Sequence, residues 1–205
     1  VTVNDEKLVA ASLVKLYIML AVFDGIEHDT ITDDANVDAL LKQMITVSSN
    51  EAANGLLSRI GNGDGKAAIA TVTATAQRYG FTSSEELRTL TGMASGNAVE
   101  NWTSTRDCGS FLSQVYAGTL VSKNASERMM QLLLGQTRRT KIPAGVPSGV
   151  KVANKTGELA AVQNDVAIVF GTHPYVLAVM SSDISSAVAP SQITELSRAV
   201  WDAAQ

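Results

Sequence analysis

The organisation of this chain follows from one segment near its N-terminus, Ala11-Ser12-Leu13-Val14-Lys15-Leu16-Tyr17-Ile18-Met19-Leu20-Ala21-Val22-Phe23. Residues 16–23 are apolar nearly all round, which predicts a helix buried on every side rather than an amphipathic one. Ser12 and Lys15 are three residues apart, so on a helix they share one face. A charged lysine is costly to bury, and a lysine whose charge is suppressed can activate a serine hydroxyl. The pair is therefore a candidate nucleophile and base; the alternative is a helix cap followed by a solvated lysine.

Composition restricts the classes of protein to which the chain can belong. Its 205 residues, 45% hydrophobic and 18% charged, suit a globular protein with a substantial core. The net charge of −4 and the absence of basic runs argue against a nucleic-acid partner. The single Cys108 excludes an internal disulfide, and the isolated His28 and His173 argue against a metal site. Residues 16–23 are too short to span a bilayer, and a chain that begins at Val1 resembles a processed product, which leaves export open.

Periodicity predicts mostly helices in the first two thirds of the chain and strands after Pro143. Residues 82–101 lack periodicity and are predicted to form a loop, while Val1–Val3 is interpreted as the tail of a strand. Thr32, Thr105 and Ser191 are the predicted starts of three helices. The remaining predicted helices span residues 12–23, 51–60, 66–79 and 125–134, and the predicted strands span 150–154, 162–170 and 175–181.

This order of elements predicts an α+β fold in which an antiparallel sheet is flanked by helices. Residues 1–26 and 141–205 are expected to form an α/β part that holds the sheet, the buried helix and the terminal helix. Residues 27–140 are expected to form an all-helical part. The functional site should then lie between the two parts of a single catalytic unit.

Two further short motifs contain groups suited to chemistry. Ser48-Ser49-Asn50 lies at a predicted helix junction, where a turn can direct Ser48 and Asn50 into a cleft; the alternative is simple capping of the helix that begins at Glu51. Lys155-Thr156-Gly157 lies on a predicted strand and offers a charge, a hydroxyl and room for close approach of the backbone. Its alternative is an exposed edge strand that a lysine protects from aggregation.

Taken in order, Ser-x-x-Lys, Ser-x-Asn and Lys-Thr-Gly resemble the signature of class A serine β-lactamases and penicillin-binding proteins, which are serine D,D-peptidases. The resemblance extends over nearly the whole chain. Residues 44–54 are similar to the family's second-motif helix junction, residues 103–107 to the helix start after its omega loop, and residues 142–147 to the segment before its third motif. It implies the family's fold, no cofactor, and export to the periplasm or cell surface.

The resemblance also implies a role for each motif residue, in acylation by a β-lactam or by a peptide ending in D-alanyl-D-alanine. Ser12 would be the nucleophile, Lys15 its base, and Ser48 the relay that protonates the leaving nitrogen. The implied substrate-binding residues are Asn50 for a side-chain amide and Lys155, Thr156 and Gly157 for the carboxylate side. The backbone N–H groups of Ser12 and Glu158 would form the oxyanion hole, and Lys155 would help to keep Lys15 neutral.

Two departures from the family pattern concern release of the acyl group. Class A β-lactamases carry a Glu-x-x-Leu-Asn segment whose glutamate activates the deacylating water, and no such segment lies between Gly80 and Thr103. The glutamates there, Glu85, Glu86 and Glu100, are expected to be solvated, with Glu86 serving only if the loop is rebuilt around it. Ser49 also replaces the usual aspartate. We therefore expect acylation with slow deacylation; the alternatives are a D,D-carboxypeptidase and a non-catalytic β-lactam-binding or sensing module.

The N-terminus departs from the family as well. The family domain has a helix and two strands before the nucleophile, of which only Val1–Val3 could remain. Either the chain begins after a missing piece or the sheet is reduced. A reduced sheet would leave an edge exposed, and such an edge can pair with a second copy of the chain.

Overall fold

A computed structural model of the chain describes residues 6–90 and 99–205. The predicted strand tail Val1–Val3 lies outside the described residues, as does the part of the predicted loop from 91 to 98. The helices of the described part are α1 (Lys15–Glu27), α2 (Ala35–Thr46), α3 (Asn50–Ile60), α4 (Gly65–Arg78), α5 (Thr105–Ala117), α6 (Lys123–Leu134) and α7 (Ala189–Ala204). The strands are β1 (Leu8–Val9), β2 (Trp102–Thr103), β3 (Lys151–Leu159), β4 (Val162–Phe170) and β5 (Tyr175–Val179), and short 3-10 turns span Ala11–Val14 and Ile142–Gly145.

Helix α1 is the centre of the core, as its uninterrupted apolar sequence predicts. Every residue of α1 from Lys15 to Gly25 is buried, because α2, α3 and α4 pack around it. The ring of Tyr17 contacts Phe81 and Phe111 at centroid distances of 5.7 and 5.9 Å. Each large apolar side chain buried in this way contributes roughly 1.5–3 kcal/mol, so α1 is held rigidly at the end that carries Lys15.

The main sheet is antiparallel in the order β3-β4-β5. Alternate residues of β4 face opposite layers: Ala167 and Val169 pack in a cluster with Ile193 of α7, whereas Val166 and Ile168 join the core around α1. Helices therefore cover both faces, which confirms the predicted α+β class. Strand β3 is at the edge of this sheet, and the self-association expected from a reduced sheet stays a prediction.

Three predicted helix starts are displaced by one or more residues. Asp34, not Thr32, caps α2 by accepting a hydrogen bond from the Val37 N–H at 2.8 Å. Ser104, not Thr105, caps α5. Helix α7 begins at Ala189, before Ser191, whose hydroxyl donates to the Val188 carbonyl rather than capping the helix. At α2 and α5 adjacent residues can serve as caps, whereas no side chain caps α7.

Strands β1 and β2 form a separate pair that the sequence did not predict. Leu8 pairs with Thr103 and Val9 with Trp102, and a backbone bridge also joins Glu85 to Trp102. Two-residue strands are too short to show a period of two, so local pattern cannot reveal them. The pair brings the chain before Ser12 against the loop that follows α4.

Candidate active site

Ser12 and Lys15 lie in a tight turn at the beginning of the buried helix. Ser12 belongs to the 3-10 turn and Lys15 is the first residue of α1. The Lys15 Nζ lies 3.1 Å from the Ser12 Oγ. Ala11, immediately before the serine, has a φ of +47°, a value that is strained for a residue with a side chain.

Neighbouring elements fix the backbone just before Ser12. The Ala10 N–H donates to the Asn101 carbonyl at 2.8 Å. From β4, the Asn164 Nδ2 donates to the carbonyls of Val9 and Ala10 at 3.0 and 3.3 Å. The strained turn is thus held from both the loop side and the sheet side, which is how a locally unfavourable conformation persists.

Lys15 is buried, yet its amine has a dense set of acceptors. Its Nζ lies 2.7 Å from the Ser48 carbonyl, 2.7 Å from the Asn50 Oδ1 and 3.2 Å from the Ser48 Oγ. The pKa of Lys15 is lowered to about 8, mainly by burial and to a smaller extent by the positive charge of Arg138. A neutral amine has two N–H donors, which suffice for the two shortest contacts. Its lone pair is then free to accept the proton of the Ser12 hydroxyl.

Ser48 stands between two lysine amines. Its Oγ accepts from Lys155 Nζ at 2.9 Å and from Lys15 Nζ at 3.2 Å, and its φ is +62°. Burial, followed by repulsion from Lys15 and Arg138, lowers the pKa of Lys155 well below its ordinary value. Both amines contact Ser48, and two like charges so placed disfavour each other's protonated forms. The expected help of Lys155 in keeping Lys15 neutral stays a prediction.

Both interpretations of Ser48-Ser49-Asn50 describe part of the structure. The middle residue, Ser49, caps α3 by accepting from the Ala52 N–H at 3.1 Å. Because the cap fixes this junction, Ser48 and Asn50 on either side of Ser49 both reach Lys15. Ser49 therefore supplies the cap of α3, while its two neighbours supply contacts to Lys15.

Lys155-Thr156-Gly157 lies on the edge strand β3, but Lys155 does not guard an exposed edge. The Lys155 side chain is fully buried, and its Nζ donates to the Thr156 carbonyl at 2.8 Å as well as to Ser48. Thr156 is also buried. A Cβ at Gly157 would lie 2.7 Å from the Ala10 carbonyl oxygen and 3.2 Å from the Leu13 backbone nitrogen, so only glycine lets β3 pack against the turn that carries Ser12.

Glu158 follows the glycine and contacts two cations from the segment after α6. Its carboxylate pairs with the Arg138 guanidinium through one oxygen and with Lys141 Nζ at 2.9 Å through the other. Burial opposes ionisation of Glu158, but Lys141 and Arg138 outweigh it and hold the pKa of Glu158 below its usual range. Neither cation belongs to a motif that the sequence singled out, and no spacing rule points to them.

A small cleft of about 170 Å³ opens onto Ser12. Its lining includes Asn50 and Glu158 together with a wall of loop residues: Arg88, Leu90, Glu100 and Asn101. Glu100 is paired with Arg88 at 2.9 Å. A larger groove of about 600 Å³ lies between α2 and α6 and contains none of the motif residues, so it lacks the nucleophile and base that the small cleft offers.

The expectation that all the loop glutamates are solvated is wrong for Glu86. Glu86 is not solvated: it is 1% exposed, and burial raises its pKa to about 8. Glu86 is not among the residues that line the cleft, and its backbone is bonded to the Thr73 hydroxyl of α4. Glu100, also expected to be solvated, is half-buried on the cleft wall. Leu90 lines the cleft wall, with its N–H bonded to the Asn54 Oδ1 at 3.0 Å.

Residues 30–204 match the model of a family described as the beta-lactamase enzyme family. The chain belongs to this family. The matched range includes Ser48, Asn50 and Lys155–Gly157, and it begins after Ser12 and Lys15. No curated protein matches the chain in sequence.

Solved structures extend the likeness of this beta-lactamase family member to nearly its full length. A β-lactamase from Sphaerobacter thermophilus DSM 20745 superposes with a TM-score of 0.85 at 22% identity, over 97% of this chain and 84% of that one. PBP-A superposes with a TM-score of 0.83 at 23% identity, over 97% and 82% of the two chains. The TLA-3 extended-spectrum beta-lactamase gives 0.86 at 21% identity, over 97% and 85%. At such identities these likenesses establish a shared fold, and the fold is that of class A β-lactamases and PBP-A.

Residues 6–90 and 99–205 contain neither a membrane-spanning helix nor a cluster of potential metal ligands. No helix there is long and apolar enough to cross a membrane. In the same residues, histidine, cysteine, aspartate and glutamate side chains do not gather in threes around a possible metal position. Cys108 is buried against Tyr17 and Thr103, and burial raises its pKa to about 11, which suits a core residue rather than a nucleophile.

Proposed function

We propose that this chain is a serine hydrolase-type enzyme that is acylated at Ser12 by β-lactams and releases the acyl group slowly. The observation that carries the proposal is the contact of 3.1 Å between Lys15 Nζ and Ser12 Oγ, with Lys15 buried and its pKa lowered to about 8. A base whose pKa lies near neutrality is present partly in its neutral form, which can accept a proton. Export to the periplasm or cell surface, as in the family, is part of this proposal.

Acylation follows from the groups around Ser12. Lys15 takes the hydroxyl proton as the Ser12 Oγ attacks the lactam carbonyl, and the N–H groups of Ser12 and Glu158 receive the oxyanion. Collapse of the tetrahedral intermediate breaks the C–N bond, and Ser48 gives its proton to the leaving nitrogen. Ser48 recovers a proton from Lys15, which lies 3.2 Å away. Lys155 lies 2.9 Å from the same hydroxyl and stabilises charge that develops on it.

Slow deacylation is supported by the loop wall of the cleft. Hydrolysis of the ester at Ser12 needs a base that activates water. Leu90 offers none, and Glu100 is already paired with Arg88. Among the solved relatives is a point mutant of PBP-A described as an acyl-enzyme complex with penicillin G, which makes penicillin G a suitable first ligand for this chain.

Time-resolved intact mass after mixing with penicillin G tests the proposal. The β-lactam nitrogen stays tethered after ring opening, so the adduct should carry the full mass of the antibiotic. Wild type and Ser110→Ala, which changes an exposed serine of α5, should form the adduct, and Ser12→Ala should not. An adduct on Ser12→Ala would refute the assignment of the nucleophile, and one that vanishes within seconds would refute slow deacylation.

The second candidate function is that of a D,D-carboxypeptidase, favoured by Ser49 at the middle of the second motif. A peptide ending in D-alanyl-D-alanine should then acylate Ser12 with loss of one D-alanine. Measurement of D-alanine release beside hydrolysis of a chromogenic cephalosporin separates the two functions. A third candidate, a binding or sensing module, would form a lasting adduct and release no D-alanine.

A further inference from the structure

The side chain of Glu158 places a negative charge at the wall of the cleft that contains Ser12. Glu158 lines this cleft, directly after the strand residues expected to receive a substrate carboxylate. Its carboxylate bridges Arg138 and Lys141. Lys141 is fully buried, with 1% of its side chain exposed, whereas 47% of the Arg138 side chain and 31% of the Glu158 side chain are accessible. The Arg138 guanidinium is therefore the more exposed of the two cations, and it is already paired with the Glu158 carboxylate.

The charges of this group act on the two lysines of the active site. Arg138 disfavours the protonated forms of both Lys15 and Lys155. Glu158 has the opposite effect on Lys155, since it favours the charged amine. Arg138 and Glu158 thus lie close enough to the active-site lysines for their charges to act also on a substrate bound at Ser12.

We propose that Glu158 is a specificity-determining residue whose carboxylate occupies Arg138 as an internal counter-anion, so that the cleft disfavours substrates presenting their own carboxylate on the β3 side. A guanidinium pairs well with a carboxylate because it can donate two parallel hydrogen bonds. A substrate carboxylate must either displace Glu158 from Arg138 or lie beside it and be repelled. A substrate whose carboxylate is neutralised meets neither obstacle. The inference rests on the proposed function, because acylation of Ser12 is its readout.

The test compares penicillin G, which is anionic, with its neutral methyl ester as acylating agents. The measured quantity is the ratio of their second-order rate constants for adduct formation, from intact mass. Glu158→Gln frees the guanidinium and removes a charge, and at the distances of a binding cleft one unit charge corresponds to roughly a tenfold change. We expect the ratio of anion to ester to rise about tenfold in Glu158→Gln.

Two further variants make the result specific. In Arg138→Gln, Glu158 keeps only its ion pair with Lys141, so the ratio of anion to ester should fall below the wild-type value. This measurement is informative even if Glu158→Gln does not fold. The matched control is Glu85→Gln, which removes the same charge from a carboxylate that pairs with Lys7 and does not line the cleft. It should leave the ratio within about twofold of wild type.

The outcomes separate this inference from the proposed function. If adducts form but the ratio in Glu158→Gln stays within about twofold of wild type, Glu158 does not determine specificity and the inference is overturned. An equal rise in Glu85→Gln would also overturn it, because the effect would then be one of general charge. If neither ligand labels Ser12 in wild type, the proposed function fails and the inference falls with it.

Discussion

Replacement of Glu86 by glutamine should make the stability of this protein less sensitive to alkaline pH. Glu86 is 1% exposed, and neither of its carboxylate oxygens has a hydrogen-bond partner in residues 6–90 and 99–205. Burial raises its pKa from 4.5 to about 8, and no charged group contributes to this rise. The folded protein therefore holds a proton on Glu86 at neutral pH that the unfolded chain has lost.

The sign and size of the effect follow from this difference in proton binding. Between pH 4.5 and about 8 the folded state binds more protons than the unfolded state, so the free energy of unfolding falls as pH rises. The interval between these pKa values corresponds to about 5 kcal/mol at and above pH 8. Glutamine has nearly the same shape and does not titrate. Glu86→Gln should therefore match wild type near pH 4.5 and exceed its stability by several kcal/mol at pH 8.5.

Urea unfolding of both proteins at pH 4.5 and pH 8.5 measures this difference. Other titrating groups are common to the two proteins, so their contributions cancel in the comparison. The control is Glu85→Gln, which alters the adjacent residue, a partly exposed partner of Lys7; such pairs contribute at most about 1 kcal/mol. If Glu86→Gln and wild type lose stability in parallel between the two pH values, Glu86 is ionised in the folded protein and the reasoning is wrong.

Three predictions concern catalysis. The rate of acylation by penicillin G should rise with pH and level off above about pH 8, because Lys15 accepts a proton only when neutral; a flat profile between pH 6 and 9 would exclude Lys15 as the base. Leu90→Glu should shorten the lifetime of the adduct at least tenfold by supplying a base on the cleft wall, while Leu90→Gln, of similar shape but without basicity, should not, as followed by mass. Gly157→Ala should slow acylation roughly a hundredfold, since a Cβ 2.7 Å from the Ala10 carbonyl oxygen must push β3 away from Ser12. Gly109→Ala, where a Cβ meets open space, should acylate at the wild-type rate, and equal rates in both variants would contradict this view of the packing.

Local sequence patterns predicted several features of the site. The spacing of Ser12 and Lys15 predicted that they would meet, and the apolar run after them predicted that Lys15 would be buried. The position of Lys155 on a strand was predicted in the same way. That Ser48 lies between the two lysines was not predicted: the family resemblance implied only that Ser48 relays a proton, and separations of 33 and 107 residues carry no geometric information in themselves.

Other features of the site had no signal in the sequence. Glu86 reads as a polar loop residue, yet its backbone is bonded to Thr73 of α4 and its carboxyl is buried. Arg138 reads as one of two adjacent arginines, yet it lowers the pKa of Lys15, which is more than a hundred residues away. The burial of a side chain and the charges near it depend on residues that are distant in the sequence. A short stretch of sequence around the residue does not contain that information.

The sequence by itself determined that a buried helix carries a serine and a lysine at its start, that helices flank an antiparallel sheet, and which short motifs supply candidate groups. These follow from periodicity and residue type, which act over a few neighbouring positions. The tertiary structure decided how those groups are tuned: the lowered pKa of Lys15, the ion pair of Glu158 with Arg138, and the apolar Leu90 on the cleft wall. Each of these depends on contacts between segments that are far apart in the sequence. The free energy of such a contact is set by the distance between the groups and by their burial in the folded protein.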